Sequence, residues 1–387
     1  MNPLAISTAS LSPGVSRRSM LRGAFGLAGL AAVGGSLAAC GGTSAPVASV
    51  GTSLTDIIAG AKKEGKVQLI AVPGDWANYK GQFDAFKKKY GIETPVANPD
   101  GSSADELTAV KNLKGQNTQP DVIDIGYSFT QPAIDQKLIE AYKPSSFEDI
   151  PADLKDPDGM WVGAYYGVVQ VGTNTRSVES PKSWDDLLDP KYKGKIALPG
   201  DPRKGASSIA AVFAAALAHG GSLDNIQPGI DFFETLAKSG NLVSITSPVS
   251  ALSTGQAAVV FDWNYNFLGM TGELQKSGAT LETTVFSDGV FGNYYAQPVT
   301  AKSPQPNAAR LWVDWLTSDE GSEQFALGGA VPARFVKLKA AGKLSTEALT
   351  KLPSADVIAQ IKFPTIAQGT AASKLIIDQW GQKVAAQ

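Results

Sequence analysis

One cysteine and one histidine occur among 387 residues, and that scarcity removes whole classes of chemistry. A lone cysteine cannot close a disulfide within the chain. Zinc sites built from Cys and His need several such side chains, and a histidine-based triad needs its histidine beside a nucleophile. His219, the single one, falls in the last turn of an Ala-rich helical pattern, where partial positive charge is favourable, so its reading is structural. Charge is sparse as well: 18% charged against 43% hydrophobic residues, the balance of a folded soluble chain. No basic stripe is visible and the formal net charge is −2, which argues against nucleic acid as a partner. Walker and dinucleotide motifs are missing; pieces such as Gly328-Gly329 lack the spacing. No cofactor is expected. Adjacent carboxylates such as Asp185-Asp186 read as solvated groups on an exposed short helix rather than a catalytic pair.

Residues 1–39 read as an export leader. Ser16-Arg17-Arg18-Ser19-Met20-Leu21-Arg22 is a twin-arginine pattern, and a short apolar run from Gly23 to Ala39 follows it. Positive charge holds the start inside, the apolar run inserts, and small residues admit a peptidase. A spanning helix is the competing reading, but the run is short and rich in glycine. Leu37-Ala38-Ala39-Cys40 resembles the lipobox of bacterial lipoproteins, which implies removal of residues 1–39 and lipidation of Cys40. Residues 40–53, rich in Gly, Ser, Thr and Ala, then read as a flexible tether. Arg17, Arg18 and Arg22 are the only charges before Cys40, so cleavage takes the net charge from −2 to −5. The expected location is extracytoplasmic, reached by the twin-arginine route, with the membrane touched by the lipid anchor only.

The mature length exceeds one ordinary core and suits two lobes. Val67–Val72 reads as a strand followed by the loop Pro73-Gly74-Asp75-Trp76. Tyr79, Phe83, Phe86 and Tyr90 then recur at helical spacing up to Gly91. Ile92–Ala97 is a second strand, Ser103-Ala104-Asp105-Glu106 a capping box, and Asp121–Ile125 a third strand ending at Gly126-Tyr127. Such alternation predicts an open parallel sheet, which binds ligands beyond the carboxyl ends of its strands. Two later stretches, Trp161–Thr175 and Ser287–Val299, read as strands that cross between lobes. The expected division is residues 54–168 and 288–387 for one lobe and residues 169–287 for the other. The second lobe holds the loop Asp201–Ser208, the Ala-rich helix, and a buried strand from Ala258 to Phe261 that ends in Asp262-Trp263-Asn264-Tyr265.

Several segments together are similar to one family. They are Glu64-Gly65-Lys66-Val67; Pro181 to Pro190 with Tyr192-Lys193-Gly194-Lys195; Thr254-Gly255-Gln256; Ala308 to Trp312 with Asp319-Glu320-Gly321; and Val331-Pro332-Ala333-Arg334. Their order and spacing resemble the extracellular solute-binding proteins of ABC importers, in the branch with polyamine-, ferric-ion- and phosphonate-binding members. The resemblance implies an α/β, two-lobed type II periplasmic-binding-protein fold, with two crossing hinge strands and a cleft that closes on ligand. It also implies a monomer that captures a small-molecule solute and passes it to ABC permease subunits, with no reaction catalysed. A secreted hydrolase on the same scaffold needs a nucleophile–base pair that the sequence does not display. A sensor without a permease differs only in its partner.

The candidate ligand residues follow from both arguments. The strand-end rule nominates Asp75, Trp76, Ser102, Ser103 and Tyr127. Asp262, Trp263, Asn264 and Tyr265 place a carboxylate, two aromatics and an amide at one strand end, and an indole face attracts cations by about 0.5–2 kcal/mol. By the resemblance, Trp263-Asn264 corresponds to cleft residues of polyamine-binding relatives. Two Asp-Trp pairs facing each other suit a cationic amine. The loop with Asp201 and Ser207 resembles the family's ligand loop in the second lobe, but Arg203 and Lys204 there favour an oxyanion such as a phosphonate. Tyr294-Tyr295 resembles the ferric-ion tyrosine pair, although neighbours on a strand face opposite ways; Tyr294 is taken as the tyrosine facing the cleft.

Overall fold

A computed structural model describes residues 49–361 and 363–385. The leader, Cys40 and most of the tether lie outside the described residues. The described residues form one compact unit, and a single long strand serves both halves of its sheet.

The short strands β1 (Leu69–Ile70) and β2 (Val96–Ala97) pair in parallel. The longer strands expected at 67–72 and 92–97 are trimmed because Pro95, which has no N–H, can only accept, taking the bond from Leu69 N at 2.8 Å. After β3 (Ile125–Gly126) and β4 (Ile139–Glu140) comes β5 (Gly163–Asn174), twelve residues long and buried along almost its whole length. A strand covered on both faces reads as a nearly unbroken apolar run, and this one does. Then follow β6 (Ile196–Ala197), β7 (Leu242–Val243), β8 (Val259–Trp263), β9 (Leu281–Thr284), β10 (Gly292–Ala296), β11 (Val299–Thr300) and β12 (Val331–Pro332). Eight of these strands share one mixed sheet.

The pairing of β5 changes half way. Its first half, Gly163 to Val168, is antiparallel to β10, with β12 at Tyr165 and Tyr166. Its second half is antiparallel to β8, from Val169 opposite Trp263 to Thr173 opposite Val259, and to β9 from Val171 to Asn174. Both flanks of the strand therefore exchange partners at Val168/Val169. The return path lies between Thr284 and Gly292, in the region read as the second crossing.

The helices that matter for the site are α1 (Leu54–Glu64), α2 (Tyr79–Tyr90), α3 (Ser103–Asn112), α4 (Thr130–Asp135), α5 (Ala206–Ala218), α6 (Gln227–Lys238), α7 (Pro248–Thr254) and α8 (Asn264–Lys276). Helix α2 ends where the sequence places its stop, at Gly91 with φ 72°. The cap of α3 sits one residue earlier than expected: Ser102 is the N-cap, and its side chain and that of Asp105 complete a reciprocal capping box. Helix α5 is apolar on nearly every side and correspondingly buried, with Ile209 to Ala216 all in the core. His219 at its end donates from Nδ1 to Ala215 O (2.7 Å), stacks on Phe232, and lies 3.5 Å from Asp185, a packing role as expected.

Candidate functional site

A cavity of about 630 Å³ opens where the ends of β1, β3 and β8 meet the starts of α3, α5 and α7. Two close approaches border it. A Cβ on Gly126 would stand 2.2 Å from the Cβ of Ala206, and one on Gly269 would stand 2.2 Å from the backbone oxygen of Asp75. Only glycine permits either approach without displacement.

The structure gathers Asp75, Trp76, Ser102, Ser103, Asp201, Ser207 and Asp262 around this cavity. Asp75 opens the one-turn helix Trp76–Asn78 without making a capping hydrogen bond, so its carboxylate is not consumed locally. Trp76 donates its indole N–H to Tyr165 Oη at 2.6 Å and stands edge-on to Tyr265 and Tyr295. Ser102 is held by its capping box, and Ser103 Oγ accepts from Gly126 N at 3.1 Å. Asp201 forms a forked ion pair with Arg203, at 3.0 Å to Nε and 2.6 Å to Nη2, which holds its pKa below the usual carboxylate range. Lys204 lines the same wall. Helix α5 has no side-chain cap, so the amides near Ser207 and Ser208 are not satisfied by a capping side chain.

Five expected ligand residues are placed elsewhere. Trp263 is fully buried, its indole N–H donating to Tyr295 Oη at 3.2 Å. The reason is strand alternation: Asp262 and Trp263 are neighbours on β8 and face opposite ways, so only the aspartate reaches the cavity. Asn264 is a fastener. Its Oδ1 accepts from Val168 N (3.0 Å), at the point where β5 changes partners, and its Nδ2 donates to Gly329 O (2.7 Å). Tyr265 is fully buried with a hydroxyl that finds no partner, packed against Gly167, where a Cβ would sit 2.5 Å from its ring. Tyr127 lies beneath the C-terminal helix Ile366–Lys383; Gly369 of that helix touches its ring. Tyr294 stacks on Trp161 at 5.5 Å, also in the core. The tyrosine that lines the cavity is its neighbour Tyr295.

Several lining residues escaped the sequence reading, Glu106, Asp124 and Asn266 above all. Asp124 is buried and accepts from Tyr79 Oη (2.9 Å), Tyr165 Oη (2.8 Å) and Gln297 Nε2, while its own amide donates to Glu106 at 2.8 Å. Burial pushes its carboxyl up to about 7 despite those donors, and pushes Glu106 up as well. Asp262 is also raised to about 7, first by burial and further by the nearby Asp75 carboxylate, against hydrogen bonds from Trp263 N (2.8 Å) and Asn266 Nδ2 (2.9 Å). Among the described residues no group of three or more His, Cys, Asp or Glu side chains is arranged to hold a metal ion. Nor is any described helix long and apolar enough to cross a membrane.

Comparison with known proteins agrees with this architecture. The family profile of the bacterial extracellular solute-binding proteins matches residues 117–360. A probable ABC transporter periplasmic-binding protein of Sinorhizobium fredii is 28% identical over 318 residues, 77% of this chain and 80% of its own. A putative 2-aminoethylphosphonate-binding periplasmic protein of Salmonella typhimurium is 29% identical over 143 residues, 36% of this chain and 40% of its own. Among solved structures, the periplasmic binding protein AfuA from Actinobacillus pleuropneumoniae, with fructose-6-phosphate bound, superposes with a TM-score of 0.67 at 20% identity, covering 84% of this chain and 100% of its own. The profile takes in more than half of the residues, and the sheet, the strand that changes partners and the cavity fit it: this chain belongs to the bacterial extracellular solute-binding proteins, with the two-lobed α/β fold of ABC-transporter receptors.

Proposed function

We propose that this receptor captures a small polar solute carrying a cationic amine, and hands it to a permease while tethered outside the cytoplasm by lipid on Cys40. The observation that carries the reading is the charge of the cavity wall. Seven carboxyl groups, those of Asp75, Asp100, Asp105, Glu106, Asp124, Asp201 and Asp262, line it against the ammonium of Lys204. Acidic groups stay in excess even with Asp201 paired to Arg203 and with Glu106, Asp124 and Asp262 raised by burial. A cleft with low-dielectric walls and charges of one sign concentrates ligands of the other. Trp76 adds an aromatic surface of the kind that cations favour.

In this reading residues 54–168 and 288–387 move as one lobe and residues 169–287 as the other, bending about β5. The exchange of partners at Val168/Val169 supports that boundary, because β5 pairs with β10 before it and with β8 after it. Residues 1–39 are removed after twin-arginine export.

A second reading has its own observation. The uncapped start of α5, with Ser207, Ser208 and Lys204 beside it, suits an oxyanion such as a phosphonate. One screen separates the two. The protein lacking residues 1–39 is titrated calorimetrically with putrescine, spermidine, 2-aminoethylphosphonate, ethylphosphonate and ferric citrate. The amine reading expects binding and a raised melting temperature with at least one of the amines, through linkage. Equal binding of ethylphosphonate and 2-aminoethylphosphonate, with no response to either polyamine, overturns it in favour of the oxyanion.

A further inference from the structure

Asn266 carries an unusual vacancy in its hydrogen bonding. It is 7% exposed, it lines the cavity, and its Oδ1 has no partner. The orientation of the amide is settled by the other end, since Nδ2 donates to Asp262 Oδ1. A buried amide oxygen without a donor costs about 1–3 kcal/mol, and this one belongs to a residue of the cavity wall.

The groups beside Asn266 share the same property. Asp262 spends Oδ1 on two donors, Trp263 N and Asn266 Nδ2, and among the described residues Oδ2 receives none. Asp75 makes no cap bond, and its charge is felt at Asp262. It is carried to this corner by the contact of its backbone with Gly269, one turn along α8 from Asn266. Three acceptors thus gather at one end of the cavity: a carboxylate from the loop after β1, a carboxylate oxygen from the end of β8 and, just under the wall and shielded from solvent in this structure, an amide oxygen from the first turn of α8. Among the described residues the acceptors Asp262 Oδ2 and Asn266 Oδ1 have no protein donor.

We propose that this corner is a seat for the primary ammonium group of the solute, with its N–H bonds going to Asp262 Oδ2, Asn266 Oδ1 and Asp75. A primary ammonium has three donors and a full positive charge, which matches three acceptors of which two ionise. A quaternary ammonium offers no donor and leaves Asn266 Oδ1 unsatisfied. A metal ion is a poorer match, since Ca²⁺ takes about six to eight oxygens and Mg²⁺ an octahedral set, and among the described residues no group of three or more His, Cys, Asp or Glu side chains is arranged to hold one. The seat is specific to primary amines, and it rests on the amine reading given above.

The test uses putrescine and 2-aminoethylphosphonate, their amine-free counterparts 1,4-butanediol and ethylphosphonate, and trimethylated 2-aminoethylphosphonate. Titrations compare the wild-type protein with Asp262→Asn and Asn266→Leu. Losing one charge-assisted hydrogen bond lowers affinity by about 10–100-fold. The expected result is a loss of that size for the primary amine in each variant, little change for any amine-free counterpart that binds, and weak binding of the trimethylated compound to wild type. Wild-type binding of an amine should also weaken as the pH falls below 7, because protonated Asp262 no longer attracts the ammonium, and Asp262→Asn should lose most of that dependence. If wild type binds a primary amine and both variants bind it unchanged, the seat is wrong while the amine reading stands. If wild type binds neither amine, the reading fails and the seat with it. Should one variant not fold, as judged by its melting curve, the other variant and the wild-type preference for primary over trimethylated amine still decide.

Discussion

Asp124 and Asp262 line the same cavity, are buried to a similar extent, and are both pushed up to about 7. They differ in how their oxygens are used. Asp124 is saturated: Tyr79 and Tyr165 hold one oxygen, Gln297 holds the other, and none of these donors belongs to a ligand. Asp262 has one oxygen occupied and one left over, beside an amide that is also left over. Burial and a raised pKa are the same for both, so neither property identifies a ligand site. What separates a structural acid from a receptive one is the hydrogen-bond inventory. A satisfied carboxyl fixes the strands and helices around it, and an unsatisfied one has capacity for a guest.

The largest expected effect comes from removing the saturated acid. Asp124→Ala strands the hydroxyls of Tyr79 and Tyr165 and the amide of Gln297 in the core, and breaking such a buried network costs about 3–5 kcal/mol. Urea or guanidinium titration at neutral pH measures it. Asp262→Asn keeps an acceptor for Trp263 N and Asn266 Nδ2, and should leave stability within about 1 kcal/mol of wild type. Equal losses from the two changes would erase the distinction between the acids.

The sequence allowed much of this frame to be read and little of its orientation. Trp161–Thr175 was legible as a buried crossing strand because β-branched and aromatic residues run through it without a charge, and β5 occupies Gly163–Asn174 of it. Helix α2 was legible from its 3–4 residue spacing and Gly91. The site was harder for a definite reason. Alternation along a strand tells that Asp262 and Trp263, or Tyr294 and Tyr295, face opposite ways, but not which way the core lies. The phase depends on strands far off in sequence, here on β5 and β10. The aromatic of each pair that resembled a ligand residue, Trp263 or Tyr294, turned inward. Asp124 did leave a signal, a charge set among Val122, Ile123 and Ile125, and such a charge must be paired or neutral. Asn266 left only its spacing of four residues from Asp262, one turn around the start of α8.

Proton linkage offers the next way to sharpen the comparison. Asp121, raised to about 6, joins Asp124 and Asp262 at about 7, and each returns to about 4 on unfolding. Between about pH 4 and pH 7 the native protein therefore holds more protons than the unfolded chain. Stability falls as pH rises through that window, and Glu106, raised by burial as well, adds to the loss in the same sense. Surface acids held low by ion pairs, such as Asp201 and Glu234, act in the opposite sense, but only below about pH 4. The ligand-free protein should melt several degrees higher at pH 5 than at pH 7.5, and Asp262→Asn should reduce that difference by one group's share. A melting temperature that rises over the same interval would mean that burial does not govern these carboxyls.

The smallest expected effect concerns the two tryptophans that accompany the acids. Trp76 reaches Asp124 through Tyr165, and its ring lines the cavity. Trp263 follows Asp262 in sequence, yet its ring is sealed beneath the floor, bonded to Tyr295 and roughly parallel to Tyr265. Trp263→Phe removes one neutral hydrogen bond and part of a buried ring, worth about 1–2 kcal/mol of stability, and leaves every cavity-lining atom in place. Solute affinity should stay within about threefold of wild type, because a contact equally present in the free and bound protein cancels from the binding free energy. Trp76→Phe, of the same size change, should weaken binding more than it weakens the fold, since its ring is exchanged for a smaller surface where the solute sits. If the affinities ranked the other way, the floor would have to open when ligand binds, and Trp263 would belong to the site after all.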